Sequence, residues 1–385
     1  MRLDQRVRPL ELLFDVIYVF AFTQVTDLMG EGSDLISILQ GLAVFGILWW
    51  VWALFTWLSN QHGVDRRSVR LALVGGIVIT FVTSLGIPDA FHADGGRFAA
   101  FVFAGGFFAN AVLFVAVSIR AARDDVALRR QVLTTTLGTL VPVSATLLLG
   151  ALFGGEGQLI TWAAAVVLQA LAALATSFRG QWRLPAPGHY AERHQLVVIL
   201  ALGESIISTG AGVAGDQLDP ELVATAAACV ALTLGLWWAY FHRLAALVEG
   251  AVGARDGNQR ALLGTSGTYL HLAIVSGILL VALGAEGVME SAHVGSATGP
   301  ALNALAAGLT LFLASTGGYW CVLSGEISPA RFAGAGISLL AVPVANYLPP
   351  VTVPLVAAVM CLFITIAESA GWRFSRGDLL HARAR

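Results

Sequence analysis

The sequence predicts an all-α, polytopic integral membrane protein of about twelve transmembrane helices, laid out as two parallel six-helix repeats. Three observations carry this expectation: a charge-poor composition, a dozen apolar runs of spanning length, and arginines that alternate along the chain. Of 385 residues, 57% are hydrophobic and 12% charged, against about 25% charged in a soluble domain. Such a chain cannot cover a soluble fold with polar surface. Lipid removes that requirement, because the outer face can then remain apolar. The 42 glycines fit, since small residues let membrane helices approach closely.

A membrane helix needs roughly 20 mostly apolar residues. On that scale the spans fall near 9–29, 35–58, 69–87, 98–119, 131–153, 159–178, 195–214, 221–242, 262–284, 301–322, 332–348 and 351–371. The run after Arg8 is too long for the apolar core of a cleavable leader and is expected to be the first anchor.

Loops on the cytoplasmic side of a membrane collect basic residues. All basic residues here are arginine. Taking connections alternately, one side receives the groups at Arg2, Arg66, Arg120, Arg179, Arg183, Arg193, Arg243, Arg331 and Arg373 with their neighbours, and the other receives Arg97 alone. An even count of spans with both ends in the cytoplasm follows, in the inner membrane of a bacterium. The opposite side carries acids such as Asp27, Glu31, Asp94, Asp216 and Glu221, which contribute little to orientation.

Two halves, 1–182 and 183–385, look related. Arg70-Leu-Ala-Leu-Val-Gly-Gly-Ile-Val-Ile79 resembles His271-Leu-Ala-Ile-Val-Ser-Gly-Ile-Leu-Leu280. Glu11 before the first span matches Glu192 before the seventh, and the pairs Trp49–Trp50 and Trp237–Trp238 mark the second and eighth. Six spans per half make the repeat parallel, a layout common among transporters.

Net charge is −2, and no basic stripe interleaved with aromatics points to nucleic acid. Cys229, Cys321 and Cys361 lie far apart in apolar runs and read as small core residues. No cofactor, substrate or oligomeric state can be read from the chain. The partners it implies are the lipid bilayer and an unidentified small ion or small molecule.

Charges inside spans cost roughly 2.5–3.5 kcal/mol each on insertion scales at the helix centre and usually mark function. Glu204 is expected near the midplane, roughly 14 Å in from Gln195. It sits in Leu202-Gly203-Glu204-Ser205, with Ser208 on a neighbouring position of the face and Thr209 beyond. Gly203 is expected to admit a neighbouring backbone. The carboxyl could bind a cation or exchange a proton, or be a neutral acid hydrogen-bonded across helices.

In the first span Glu11 and Asp15, four apart, share a face, with Thr23 and Gln24 deeper and aligned by the repeat with Glu204 and Ser205. Glu11 can alternatively be an interfacial acid at a helix start, paired with Arg8. His189, Glu192, Arg193 and His194 precede the seventh span. Their spacing matches no standard zinc motif and suits an interfacial ion-pair cluster better. His271 is expected to snorkel to the surface, Asn60 to Asp65 to cap the second span or gate it, Trp49 and Trp50 to fill core, and Glu368 to pair with Arg373.

At these residues a family resemblance enters. Pro9-Leu-Glu11-Leu-Leu-Phe14-Asp15-Val-Ile-Tyr-Val-Phe-Ala-Phe22-Thr23-Gln24 resembles the opening signature of the bacterial low temperature requirement protein A (LtrA) family. Glu192-Arg193-His-Gln-Leu-Val-Val-Ile-Leu-Ala-Leu-Gly203-Glu204-Ser205 resembles its second signature, and Phe55-Thr56-Trp57-Leu-Ser-Asn60 also fits. The resemblance implies a polytopic bacterial membrane protein and marks Glu11, Phe14, Asp15, Thr23, Gln24, Glu192, Arg193, Gly203, Glu204 and Ser205 as motif positions. It brings no settled activity. His194-Gln195 stands where the family more often has glycine after the arginine.

Three function classes remain. A transporter or channel would use Glu204 and Asp15 in an inner cavity, alternating between protonated and ionised or holding a cation. Anions are disfavoured on the expectation that no buried arginine accompanies these acids. A membrane enzyme acting on a lipid or isoprenoid would use the same acids as general acids, but aspartate-rich diphosphate motifs are lacking. A sensor would need a soluble domain the chain does not show.

Overall fold

The structure, a computed structural model, describes residues 6–32, 34–92, 96–179, 184–213, 217–255, 257–292, 297, 299–371 and 374–375. The expected boundary between halves at 182–183 lies outside the described residues. So do Arg2, Asp94, Arg183, Asp216, Arg373, Arg376, Arg383 and Arg385.

The chain is an all-α, polytopic membrane protein. It divides into two compact units, Met1–Leu196 with Val252–Tyr269, and Val197–Ala251 with Leu270–Arg385. The first unit holds α1 (Pro9–Glu31), α2 (Leu35–His62), α3 (Arg67–Leu85), α4 (Gly96–Ala121), α5 (Val126–Thr135), α6 (Val141–Phe153) and α7 (Gly155–Arg179). The start of α8 (Pro187–Ala211) belongs to it as well. The second unit takes the rest of α8, then α9 (Pro220–Phe241), most of α10 (Leu244–Gly253) and most of α11 (Gly257–Glu290), whose start belongs to the first. It continues with α12 (Gly299–Ser324), α13 (Pro329–Leu340), α14 (Val342–Ala345) and α15 (Thr352–Ser369).

Local chemistry starts these helices where the sequence directs. Asp34, Asp125 and Asp219 accept from the backbone N–H three residues on, at 2.8, 3.0 and 2.8 Å, satisfying a donor that a helix start leaves open. Pro9, Pro220 and Pro329 occupy first turns, where the missing N–H costs nothing. Gly63, at φ 75°, ends α2.

In the first unit α1 packs on α2 and α3, α3 on α4, α2 on α4 and α7, and α6 on α7. The outer face of α3 exposes Leu71, Val74, Val78, Val82 and Leu85. That helical spacing makes a continuous apolar stripe, exposed among the described residues, of the kind that lipid covers. In the second unit α9 packs on α15 and α12 on α13. There α11 and α12 meet through glycines: a Cβ on Gly277 would stand 2.8 Å from the Gly308 carbonyl oxygen. The backbones come close enough to exchange dispersion contacts that larger residues would prevent.

Among the described residues, eleven helices are long and apolar enough to cross a membrane. The expected span at 332–348 is interrupted. Its first part, α13, has 12 residues, about 18 Å of rise against a hydrocarbon core of about 30 Å. The chain breaks at Ala341 before the four-residue α14. The fifth span is also irregular, with a π-helical turn over Thr136–Leu140 between α5 and α6. Pro142 and Pro343 follow these two breaks and supply the cause, since each removes a backbone donor and crowds the preceding turn.

Two arginines assigned to cytoplasmic loops from sequence are instead buried. Arg193 is 0% exposed and Arg331 1%. Each has found a carboxylate inside the protein, which replaces the solvation that a loop would have provided.

Candidate functional site

Three helices of the first unit each present residues four apart on one face: Glu11 and Asp15 of α1, Trp52, Thr56 and Asn60 of α2, and His189 and Arg193 of α8. This spacing stacks side chains along one line, and the three lines converge.

Arg193 is the centre. Its Nη2 lies 2.8 Å from Asp15 Oδ1 and donates to Thr56 Oγ1 at 3.3 Å. Its Nη1 donates to the Glu11 carbonyl oxygen at 3.0 Å and stands 3.8 Å from Glu11 Oε1. The guanidinium carbon also lies 5.7 Å from the Trp52 ring centre and 5.9 Å from that of Phe14. Two aromatic rings so placed favour a cation that has lost its water. Trp52 Nε1 donates to the same Asp15 Oδ1 at 2.9 Å.

Glu11 ties this centre to the helix start. Its Oε1 meets His189 Nε2 at 2.8 Å, and its Oε2 accepts from the Arg8 backbone N–H at 3.0 Å. It is therefore both the interfacial capping acid and a member of the buried cluster. Asn60 donates to the Ala186 carbonyl oxygen at 2.7 Å and lies 3.3 Å from His189 Nδ1, so it positions the histidine more than it caps α2. Glu192 accepts from the Val7 backbone N–H at 2.8 Å and pins the segment before α1. Asp15 Oδ2 and Arg193 Nε are buried with no hydrogen-bond partner among the described residues.

The other expected residues are placed differently. Thr23 donates to the Val19 carbonyl oxygen at 3.2 Å, and Gln24 donates to Asp27 at 3.4 Å on an exposed edge. They follow Asp15 by two turns and do not join its network. His194 is buried against Tyr190 and Trp52, with ring centres 4.0 and 5.0 Å away. Its Nδ1 donates to the Tyr190 carbonyl oxygen at 2.9 Å. Among the described residues no three metal-ligating side chains gather.

Glu204 belongs to the second unit and is fully buried, accepting from Ser208 Oγ at 3.1 Å. The Ser205 hydroxyl is buried without a partner among the described residues, while Thr209 donates to the Ser205 carbonyl oxygen at 2.7 Å. No atom lies within 4 Å of a Cβ built on Gly203, so the close approach expected there does not occur.

Two further expectations are corrected, one at His271 in the second unit and one at Arg193 in the first. His271 does not snorkel: it is buried, with Nε2 2.6 Å from the Tyr240 hydroxyl. Glu368 is held by Arg331 at 2.6 and 3.0 Å and by Ser328 at 2.7 Å, while Arg373, its expected partner, lies outside the described residues. The expectation that no buried arginine stands beside the acids fails at Arg193 itself. A guanidinium with two carboxylates and two rings around it is stable away from water, and the loop reading allowed no such cage.

Trp52 and Thr56 were not singled out as site residues from sequence. Their signal was the four-residue spacing to Asn60, which aligns all three on the face that α1 and α8 meet.

A cavity of about 370 Å³ opens onto this network. Glu11 and His189 line it, together with Arg6, Arg8, Gln61, His62, Asp65 and Arg66. The cluster thus borders a cavity at its Glu11–His189 end.

The profile of the bacterial low temperature requirement A protein (LtrA) family matches residues 6–366, nearly the whole chain. The chain belongs to the LtrA family. It is also similar to the "Uncharacterized protein RA0937" of Rhizobium meliloti (strain 1021), at 26% identity over 303 residues, 72% of this chain and 68% of the relative. No solved structure matches. The stretch that resembles the family's opening signature holds Glu11 and Asp15, and the one that resembles its second signature holds Arg193, which partners both.

Proposed function

We propose that this LtrA protein is a proton- or cation-coupled membrane transporter or channel, with the Glu11–His189 and Asp15–Arg193 contacts as its ionisable centre. The observation that carries the reading is a buried network with one arginine, two carboxylates and a histidine, opening at Glu11 and His189 onto a polar cavity. With both acids ionised and the histidine neutral, the network carries one net negative charge. One added proton, on a carboxyl or on His189, neutralises it. Burying net charge is costly, so the network favours one proton or one bound cation and can exchange it through the cavity. Glu204 with Ser205 and Ser208 is a second buried acid of the same kind, in the second unit.

The layout that accompanies this reading is twelve crossings in two parallel six-helix repeats, with both ends cytoplasmic in the inner membrane. From the third span of each half onward an offset of 201 residues supports the repeat, after shorter offsets of 181 and 188 at the first two spans. It relates Arg70 to His271, Arg130 to Arg331, and Val141-Pro142-Val143 to Val342-Pro343-Val344. Both fifth helices break immediately before this Val-Pro-Val segment. The Arg331–Glu368 pair joins the start of α13 to the end of α15, which supports the reading that α13 and α14 together run antiparallel to α15 as the remaining crossing.

The enzyme alternative receives less support. A largely apolar cavity of about 80 Å³ in the first unit is lined by Trp50, Trp57, Gln169 and Tyr269, but by neither Asp15 nor Glu204. No acid is placed there to protonate a lipid substrate.

The test is proton and cation flux in proteoliposomes, comparing wild type with Asp15→Asn and Glu204→Gln. The reading expects flux in the wild type and at least about a tenfold loss on neutralising Asp15, the scale of one charge-assisted contact. No flux in the wild type, or flux indifferent to both changes, overturns it.

A further inference from the structure

We propose that the cavity opening onto Glu11 and His189 binds a compact oxyanion, such as phosphate or a small carboxylate. The inference names a substrate class for the proposed transporter and rests on that reading for its transport half. The binding half stands on the cavity itself.

Three arginines, Arg6, Arg8 and Arg66, line the cavity, against the single outer carboxylate Asp65. Asp65 Oδ2 is engaged by Arg8 at 3.4 Å. The other carboxylate, Glu11, has both oxygens occupied, by His189 and by the Arg8 backbone. Among the described residues the lining therefore carries three guanidinium groups against two carboxylates, both of which already accept from protein donors.

The donors are built into the wall. Gln61 Nε2 is buried and has no hydrogen-bond partner among the described residues. His62 beside it is 7% exposed and lines the same cavity. An unmatched buried N–H costs free energy until it meets an acceptor. Asn60, by contrast, spends its amide on Ala186 and His189, while Gln61 and His62 both line the cavity. Amide, imidazole and guanidinium donors around one space are the chemistry that recognises oxyanions. At about 370 Å³ the space lies at the small end of ligand sites.

Position adds a consequence. An anion held here lies next to the Glu11–His189 contact, so its charge favours a proton on that pair. Proton and anion would then bind with mutual reinforcement, as linkage requires.

The experiment uses the full chain in detergent at fixed ionic strength. Inorganic phosphate, sulfate and acetate are titrated against a chloride background and followed by calorimetry and intrinsic tryptophan fluorescence. Wild type is expected to bind at least one of the three saturably. Arg66→Gln, on the exposed rim, and Gln61→Leu are each expected to weaken that binding about tenfold, as loss of a charge-assisted contact or a buried donor does, with unfolding temperature unchanged for Arg66→Gln. Short-chain phosphatidylglycerol, added with and without free phosphate, separates a lipid headgroup from a soluble ion as the source, and saturable binding of either supports the site. No saturable binding of any of these by wild type, or binding unaltered by both changes, overturns the proposal. Anion binding without flux would remove the transport reading and leave this site standing. Asp15-dependent flux without anion binding would do the reverse.

Discussion

Arg193 Nη2 and Asp15 Oδ1 lie 2.8 Å apart with neither side chain more than 2% exposed. The two residues come from helices far apart in the chain, and each removes from the other the cost of losing water. Removing one partner of such a pair typically costs about 3–5 kcal/mol, because the survivor is a buried charge without compensation. Arg193→Gln should therefore lower the thermal unfolding temperature sharply. The double change Arg193→Gln with Asp15→Asn should recover part of the loss. A double variant no more stable than the single would mean that the pair is not the source of the cost.

Trp52 makes two contributions, a hydrogen bond to Asp15 and a ring beside the Arg193 guanidinium. Trp52→Phe keeps most of the ring and loses the N–H. A net hydrogen bond to a charged group contributes about 1.5–3 kcal/mol, so the expected destabilisation lies in that range. Denaturation of the purified variant by a graded detergent series would measure it.

Gly277 and Gly308 let α11 and α12 touch. Gly277→Val puts a branched side chain where a Cβ already stands 2.7 Å from the Phe312 backbone nitrogen. Backbone cannot step aside as a flexible side chain can, and overpacking of this kind costs about 1–3 kcal/mol or more. The variant should show reduced folded yield by size-exclusion profile, whereas Gly336→Ala, with nothing within 4 Å, should not.

His92 lies on the surface between Asp89 at 3.2 Å and Glu31 at 3.1 Å. The hydrogen bond that the ring donates to Asp89 first, and then the Glu31 charge, raise its pKa above the ordinary value near 6.5. A raised folded-state value means stability that is fully present below the unfolded pKa and fades as pH rises through the folded one. The exposed position keeps the effect small. A nuclear magnetic resonance titration of the His92 ring should show the midpoint above that of a free histidine, and Asp89→Asn should bring it down.

Tyr347 is 88% exposed between α14 and α15, and the proposed twelve-crossing layout expects it in a periplasmic loop and Asp65 in a cytoplasmic one. In a background with Cys229, Cys321 and Cys361 replaced by alanine, Tyr347→Cys should react with a membrane-impermeant maleimide from the periplasm. Asp65→Cys should react only after the cells are opened. Labelling of both from one side would contradict the layout.

Much of this was legible in the chain. Helix starts at Asp34, Asp125 and Asp219 are local capping events, and the shared face of Glu11 and Asp15 follows from helical pitch alone. The broken span at 332–348 was harder to read, because hydropathy runs straight through Leu340 and Ala341 while Pro343 acts on backbone bonding. The roles of Arg193 and Arg331 were misread for a related reason. A count of arginines by loop treats each as solvated, and whether a carboxylate waits beside it is not a property of the local sequence.

Composition, period and motif by themselves determined that this chain lives in lipid, is built of helices, belongs to its family and carries acids within its spans. These are properties of short stretches, decided by how each stretch meets water or hydrocarbon. Tertiary structure alone decided that Arg193 neutralises Asp15, that Trp52 and Thr56 hold the pair, and that Gln61 and His62 face a cavity. Those outcomes depend on which faces of α1, α2 and α8 meet, and partner choice across more than a hundred residues is set by packing in three dimensions.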